Sequence, residues 1–205
     1  MRYLLFGASS SFGETDYENG GWANHLRKHL DTREKHRFFH NLAISGDNSK
    51  GVLARIENES KLRIRGKPKE EWAIFIAIGT NDSRLENKKP ITPEDEYREN
   101  MIKILKKAKE LAGTVFVIGG HPVIEKICNP WKQRDCYFLN ERIKRYGQIM
   151  KECAEKENVP FIDVFSQLEK RDDYGSLTDD GLHPNKEGHL IIYSIVKEFL
   201  ENIKY

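Results

Sequence analysis

The chain has 205 residues, 38% of them hydrophobic and 32% charged, which suits one soluble globular domain over residues 1–205 and is short for two. Lys and Arg number 34 against 32 Asp and Glu, a formal charge of +2, so nothing favours a nucleic-acid or anionic-membrane surface. No apolar run approaches the roughly 18 residues that would span a bilayer, and Cys128, Cys136 and Cys153 lack metal-ligand spacing and suit reduced, intracellular thiols better than a disulfide framework.

The first strand-like run, residues 3–6, starts so close to Met1 that no signal peptide fits within the chain. A cytoplasmic location is therefore expected, with secretion open should a leader precede Met1. A helical pattern follows with Trp22, Leu26 and Leu30, then a second apolar run at 38–44. The third run, 72–78, reads W-A-I-F-I-A-I. A strand without polar alternation is buried on both faces, as in a parallel sheet covered by helices. After Thr92-Pro93, an N-cap and first-turn pair, Tyr97, Met101, Ile104, Leu105, Ala108 and Leu111 recur at helical spacing. Runs at 114–118 and 159–165 are separated by the pattern Leu139/Ile143/Tyr146/Met150, and Ile192/Ile195/Phe199 marks the last helix. Five alternations of strand and helix predict one doubly wound α/β domain. Two longer connections, 83–93 and 121–137, follow C-terminal strand ends, where open α/β sheets bind ligands.

Four segments carry candidate chemistry. Gly7-Ala8-Ser9-Ser10-Ser11-Phe12-Gly13 follows the first strand, and its small residues let backbone N–H groups and hydroxyls approach a ligand. It is not the G-x-S-x-G nucleophile elbow, because Ser11 stands at the last glycine. A serine-rich strand-to-helix turn without chemistry remains an alternative. Asp180-Gly181-Leu182-His183-Pro184-Asn185 precedes the last helix. A serine hydroxyl becomes nucleophilic when an imidazole takes its proton, and the imidazole needs a carboxylate to fix its tautomer. Asp and His three apart around a glycine turn can supply both, although a helix-capping loop with an incidental histidine fits equally. Gly79-Thr80-Asn81-Asp82 ends the most apolar strand, where the Asn81 amide could aim at an oxyanion, or simply make a turn. Asn41-Leu42-Ala43-Ile44-Ser45-Gly46-Asp47 places Gly46 after the second strand, with a backbone N–H to offer.

Taken in order, Ser9, Gly46, Asn81 and His183 all fall at one edge of the predicted sheet. Together G-A-S-S-S-F-G, Ile44-Ser45-Gly46, G-T-N-D and D-G-L-H-P-N resemble the signature blocks of the SGNH (GDSL-like) hydrolases, nearly end to end. The resemblance implies a flavodoxin-like three-layer αβα sandwich with a five-stranded parallel sheet. It implies Ser9 as nucleophile, His183 as general base then acid, and Asp180 as its orienting carboxylate. The Ser9 and Gly46 N–H groups and the Asn81 side chain would form the oxyanion hole. One departure is Gly7-Ala8-Ser9 where the family carries G-D-S. The lost carboxylate is no triad member, so activity is expected to survive.

The expected activity is cofactor-independent hydrolysis of small-molecule carboxylic esters through an acyl-enzyme. The resemblance implies short acyl esters, acetylated sugars among them, with lysophospholipids and thioesters as alternatives, and the polar loops at 14–19 and 84–89 favour a polar, carbohydrate-like alcohol. No metal site is expected. His25 and His29, four apart, lack a third ligand and read as a solvated helix face, and neither His183 nor His189 has a metal-binding constellation. Trp131, Tyr137 and Phe138 could wall the substrate pocket or pack the loop. A phosphate- or flavin-binding flavodoxin-like module is the alternative, and a catalytically silent binding relative a third reading, resting on Ala8. Oligomeric state is not specified by the sequence.

Overall fold

From the N-terminus, β1 (Arg2–Gly7) leads through a one-turn helix, α1 (Ser9–Phe12), into α2 (Gly21–Arg33). The edge strand β2 (Phe39–Asn41) precedes α3 (Ser49–Ile64), and β3 (Trp72–Ala77) precedes the short α4 (Thr80–Ser83). Two-residue strands β4 (Leu85–Glu86) and β5 (Lys89–Pro90) come before α5 (Glu94–Leu111). After β6 (Thr114–Ile118) follow α6 (Glu125–Cys128), β7 (Cys136–Tyr137) and α7 (Asn140–Lys156), then β8 (Phe161–Ile162), α8 (Val164–Glu169) and α9 (Lys186–Asn202). The structure is a computed structural model and describes residues 1–33 and 38–203.

The main sheet has the order β2-β1-β3-β6-β8 with every pairing parallel. This is the doubly wound, flavodoxin-like order. Each central strand is covered on both faces, which is why its sequence lacks polar alternation. Leu4 and Phe6 of β1, with Ile74 and Ile76 of β3, enter a core shared with α3, α5 and α7. Tyr3, Leu5, Ala73 and Phe75 enter the opposite core, shared with α2 and α9. On that side Tyr3, Phe75 and Phe116 stack across three strands, with ring centroids 5.8 and 5.1 Å apart.

Several predicted boundaries shift for identifiable reasons. Only residues 39–41 of the 38–44 run form a strand, yet the Leu42 and Ile44 N–H groups still donate to Leu5 and Gly7 at 2.8 and 3.1 Å. The 159–165 run is split because the Asp163 carboxylate caps α8, accepting from the Ser166 N–H at 3.0 Å. Helix α5 begins at Glu94 with Pro93 at its N-cap and no capping side chain, so Thr92 does not play the expected role; three acidic residues fill the first turn instead. Helix α3 is not marked by a predicted pattern. Its buried positions are Ser49, Val52, Ile56, Ser60 and Ile64, and two of those five are serines, so the apolar stripe is thin. Strands β4, β5 and β7 form a separate antiparallel sheet that joins the two long connections.

The chain leaves β1 for β2 and returns across the sheet to β3, so a crevice opens beyond the carboxyl ends of β1 and β3. No helix among the described residues is long and apolar enough to cross a membrane. All three cysteines are buried and unpaired.

Candidate active site

Helix α1 turns the three consecutive serines to different surroundings, since successive helical residues are about 100° apart. The Ser9 Oγ–H points to His183, donating to Nε2 at 3.0 Å. Ser10 turns to a different imidazole, donating to His121 Nε2 at 2.7 Å. Ser11 is buried against Gly7, whose position would not admit a Cβ beside it. Ala8 occupies the N-cap and makes no side-chain bond. The first N–H groups of a helix have no intrahelical acceptor, which applies to those of Ser9 and Ser10, both crevice-lining residues.

The Asp180–His183 loop builds itself around one carboxylate. Asp180 Oδ1 accepts from the Leu182 and His183 N–H groups at 2.8 and 2.7 Å, and Oδ2 lies 2.7 Å from His183 Nδ1. Gly181 has φ +79°, and a Cβ there would come within 2.9 Å of Ile124 O and Cys128 N, so no other residue fits the turn. Burial works against Asp180 ionising, but the bonds from the His183 ring and the two backbone N–H groups outweigh it and hold its pKa at about 2. An anionic Asp180 keeps the imidazole proton on Nδ1 and leaves Nε2 free to accept from Ser9. The Trp131 ring meets His183 edge-on, with centroids 5.6 Å apart at 72°.

Asn81 lies in α4, four residues beyond the end of β3, and is 7% exposed. It reaches the crevice because the chain turns at Gly79, φ +120°, where a Cβ would fall 2.7 Å from Tyr97 Oη. One Nδ2–H donates to the Asp47 carbonyl at 2.9 Å, which leaves the other for the crevice. The neighbouring Asp82 is fully buried and accepts from the Ser49 N–H and hydroxyl at 3.0 and 2.6 Å, tying α4 to the start of α3. Burial raises its pKa against those bonds. Ser9, Asn81 and His183 line one crevice, together with Ser10, Thr80, Gly120, His121, Phe138 and Leu182. Gly46 is exposed and does not line it. Its turn is joined to β1 by the Ile44-to-Gly7 bond and to the segment after α1 by the Ser45 hydroxyl donating to Glu14 at 2.6 Å.

Phe138 forms part of the crevice wall, Trp131 packs on it and on His183, and Tyr137 belongs to β7. His25 and His29 are half-buried rather than solvated: both contact Tyr193 of α9, because α2 packs there. His189 is fully buried, accepting from the Trp22 N–H and donating to Glu14 O. No cluster of three or more His, Cys, Asp or Glu among the described residues is placed to hold a metal.

His121 is the site residue that motif reading passed over, although a histidine three residues beyond the end of β6, after Gly119-Gly120, falls at the same sheet edge. It is 5% exposed, and its Nδ1 lies 2.9 Å from the Pro122 carbonyl. Burial pushes its pKa from 6.5 to about 4, against the Pro122 bond that favours the proton. The unfolded ring therefore binds a proton between about pH 6.5 and 4 while the native ring stays neutral, so stability falls as pH falls through that window. Asp180, whose pKa is held below its ordinary value, also loses stabilisation at the acid end of that window, but equally in wild type and variant, so it cancels from their difference. Between pH 7.5 and 4.5, urea unfolding should show wild type losing roughly 2–3 kcal/mol more than His121→Gln. Parallel pH profiles would mean that His121 is not held neutral.

The model of the GDSL-like lipase/acylhydrolase family matches residues 5–191, nearly the whole chain. The isoamyl acetate-hydrolyzing esterase 1 homolog of Homo sapiens is 26% identical, covering 98% of this chain and 81% of its own length. A lipase/acylhydrolase from Enterococcus faecalis has the same fold, with TM-score 0.77 at 19% identity over 99% of this chain and 97% of that one. The acetylxylan esterase of Geobacillus stearothermophilus gives 0.75 at 20% identity, over 99% and 94%.

Proposed function

Because this chain belongs to the GDSL-like lipase/acylhydrolase family and is a carboxylic-ester hydrolase, we propose that Ser9, His183 and Asp180 carry out the reaction as a triad on short-acyl, chiefly acetyl, esters. The observation that carries the reading is the unbroken path from Ser9 Oγ through His183 Nε2 and Nδ1 to Asp180 Oδ2, at 3.0 and 2.7 Å. As His183 Nε2 takes the Ser9 proton, Oγ attacks the ester carbonyl and the imidazolium is stabilised by Asp180. The imidazolium then protonates the departing alcohol, leaving an acyl-Ser9 ester. A water, deprotonated by the same Nε2, releases the acid and restores Ser9. The negative oxygen of each tetrahedral intermediate would be met by the Ser9 N–H and the unspent Asn81 Nδ2–H. The Gly46 N–H is the third donor proposed, and it needs substrate to draw its turn inward. No cofactor enters this cycle.

Membership of this family leaves the phosphate- or flavin-binding alternative unsupported. Acetyl preference is supported by two names above, one relative acting on isoamyl acetate and one structural neighbour on acetylxylan. Thr80, Gly120, His121 and Phe138 line the same crevice as Ser9 and bound the space for the acyl group. A panel of 4-nitrophenyl esters should show kcat/KM for acetate at least about tenfold above that for octanoate, since a tight apolar wall discriminates by 10- to 200-fold. A preference for octanoate would overturn the short-acyl assignment while leaving the triad intact. Sugar acetates against alkyl acetates, in the same assay, would report the alcohol preference.

A further inference from the structure

Ser9 stands on α1, after β1, whereas Asp180 and His183 stand on the loop before α9, 174 residues away in sequence. Their geometry depends on how those two segments are held together. Apart from the Ser9–His183 bond itself, a second path joins them. The Ser10 hydroxyl, next to the nucleophile, donates to His121 Nε2 at 2.7 Å. His121 Nδ1–H donates to the Pro122 carbonyl at 2.9 Å, and the same carbonyl accepts from the Tyr174 hydroxyl. Tyr174 lies in the turn Tyr174–Ser176, six residues before Asp180. One residue pair further on, the Ile124 N–H donates to Gly181 O at 2.8 Å, between Asp180 and His183. The segment 121–124 thus touches the Ser9 turn on one side and, on the other, the Asp–His loop at Gly181 and the Tyr174 turn that precedes it.

We infer that His121 is a positioning residue for ester hydrolysis, holding the Ser9 turn in register with the Asp180–His183 loop through Ser10 on one side and Pro122 and Tyr174 on the other. The inference rests on the triad reading above. Two features make the role local rather than general. Helix α1 has no capping side chain at Ala8, so the Ser10–His121 bond is its side-chain anchor on the β6 side. His121 is also buried among crevice-lining groups, where the loss of one partner leaves the other unsatisfied. Nor is Ser10–His121 a rival catalytic pair: the His121 ring meets a carbonyl, not a carboxylate, and a buried imidazole without a counter-charge resists becoming the imidazolium a general base must form.

The test is a double-mutant cycle read as kcat per active site, with sites titrated by a fluorophosphonate and KM and melting temperature measured in parallel. His121→Leu should lower kcat about 10- to 100-fold with KM within about threefold, as expected for slight misplacement of a nucleophile. Ser10→Ala should lose a similar factor, and the double variant no more than the larger single loss, since both break one bond. His121→Gln, whose amide can accept from Ser10 and donate to Pro122, should restore kcat to within about threefold of wild type. Additive losses, or a His121→Leu enzyme with reduced melting temperature and unchanged kcat, would make His121 a packing residue and overturn the inference. If His121→Leu does not fold, Ser10→Ala decides, because it removes one hydroxyl from a half-exposed residue: unchanged kcat overturns the inference. Failure of the triad itself would look different, with Ser9→Ala retaining turnover.

Discussion

Ser9→Ala should fold normally and lose ester turnover by three powers of ten or more. The hydroxyl is half-exposed, and its side-chain partner is His183 Nε2 at 3.0 Å, so its removal opens no cavity and strands no deeply buried group. What it removes is the only atom in the turn aligned with an imidazole that a carboxylate orients. Triad members act as a unit, and the residual rate comes from binding and the oxyanion donors alone. Ser11→Ala should be mild, because that hydroxyl packs against Gly7 and faces no base. Ser10→Ala should stay well above the Ser9 variant even with its bond to His121 lost. The check is kcat with 4-nitrophenyl acetate, beside a thermal melt and stoichiometric fluorophosphonate labelling. Label retained by Ser9→Ala and lost from Ser10→Ala would move the nucleophile by one residue.

Asn81→Ala should lower kcat by about 10²–10³ if its second amide proton meets the oxyanion. KM should change little, because the donor acts on charge that develops only in the transition state. The structure adds a competing expectation that sequence did not contain. The first amide proton anchors the Asp47 carbonyl, so alanine also frees the loop bearing Gly46. Both effects lower kcat, but only the anchoring effect lowers the melting temperature. A large kcat loss with an intact melt assigns Asn81 to the oxyanion; a falling melt with kcat per folded site unchanged removes it from the mechanism.

Why the sheet was legible and the loops were not follows from how each is specified. A strand buried on both faces must be apolar throughout, so W-A-I-F-I-A announced β3, and helix α5 showed itself through Tyr97, Met101, Ile104 and Ala108, all buried. Helix α3 hid because buried Ser49 and Ser60 take part of its stripe and polar contacts take the place of apolar ones, Ser49 bonding to Asp82 and Asn100. The small sheet of β4, β5 and β7 escaped because two-residue strands have no period to read. At the site, Ser9, Asp180 and His183 lay in motifs whose local spacing could be weighed. His121 had no motif. Its place depends on Ser10, 111 residues earlier, a proximity created by β1 and β6 lying on either side of β3 in one parallel sheet.

Sequence distance also governs when this enzyme can exist as one. β1 lies inside the sheet, between β2 and β3, and the long helix that follows α1, α2, packs against α9. Ser9 and His183 are 174 residues apart in the chain, and no segment that stops short of the loop before α9 unites them. Loops that long close slowly, because their closure entropy must be lost before the contacts that offset it can form. Recovery of turnover during refolding would therefore track the docking of α9 against α2, and a nascent chain would stay unreactive toward esters until the loop bearing His183 had been made.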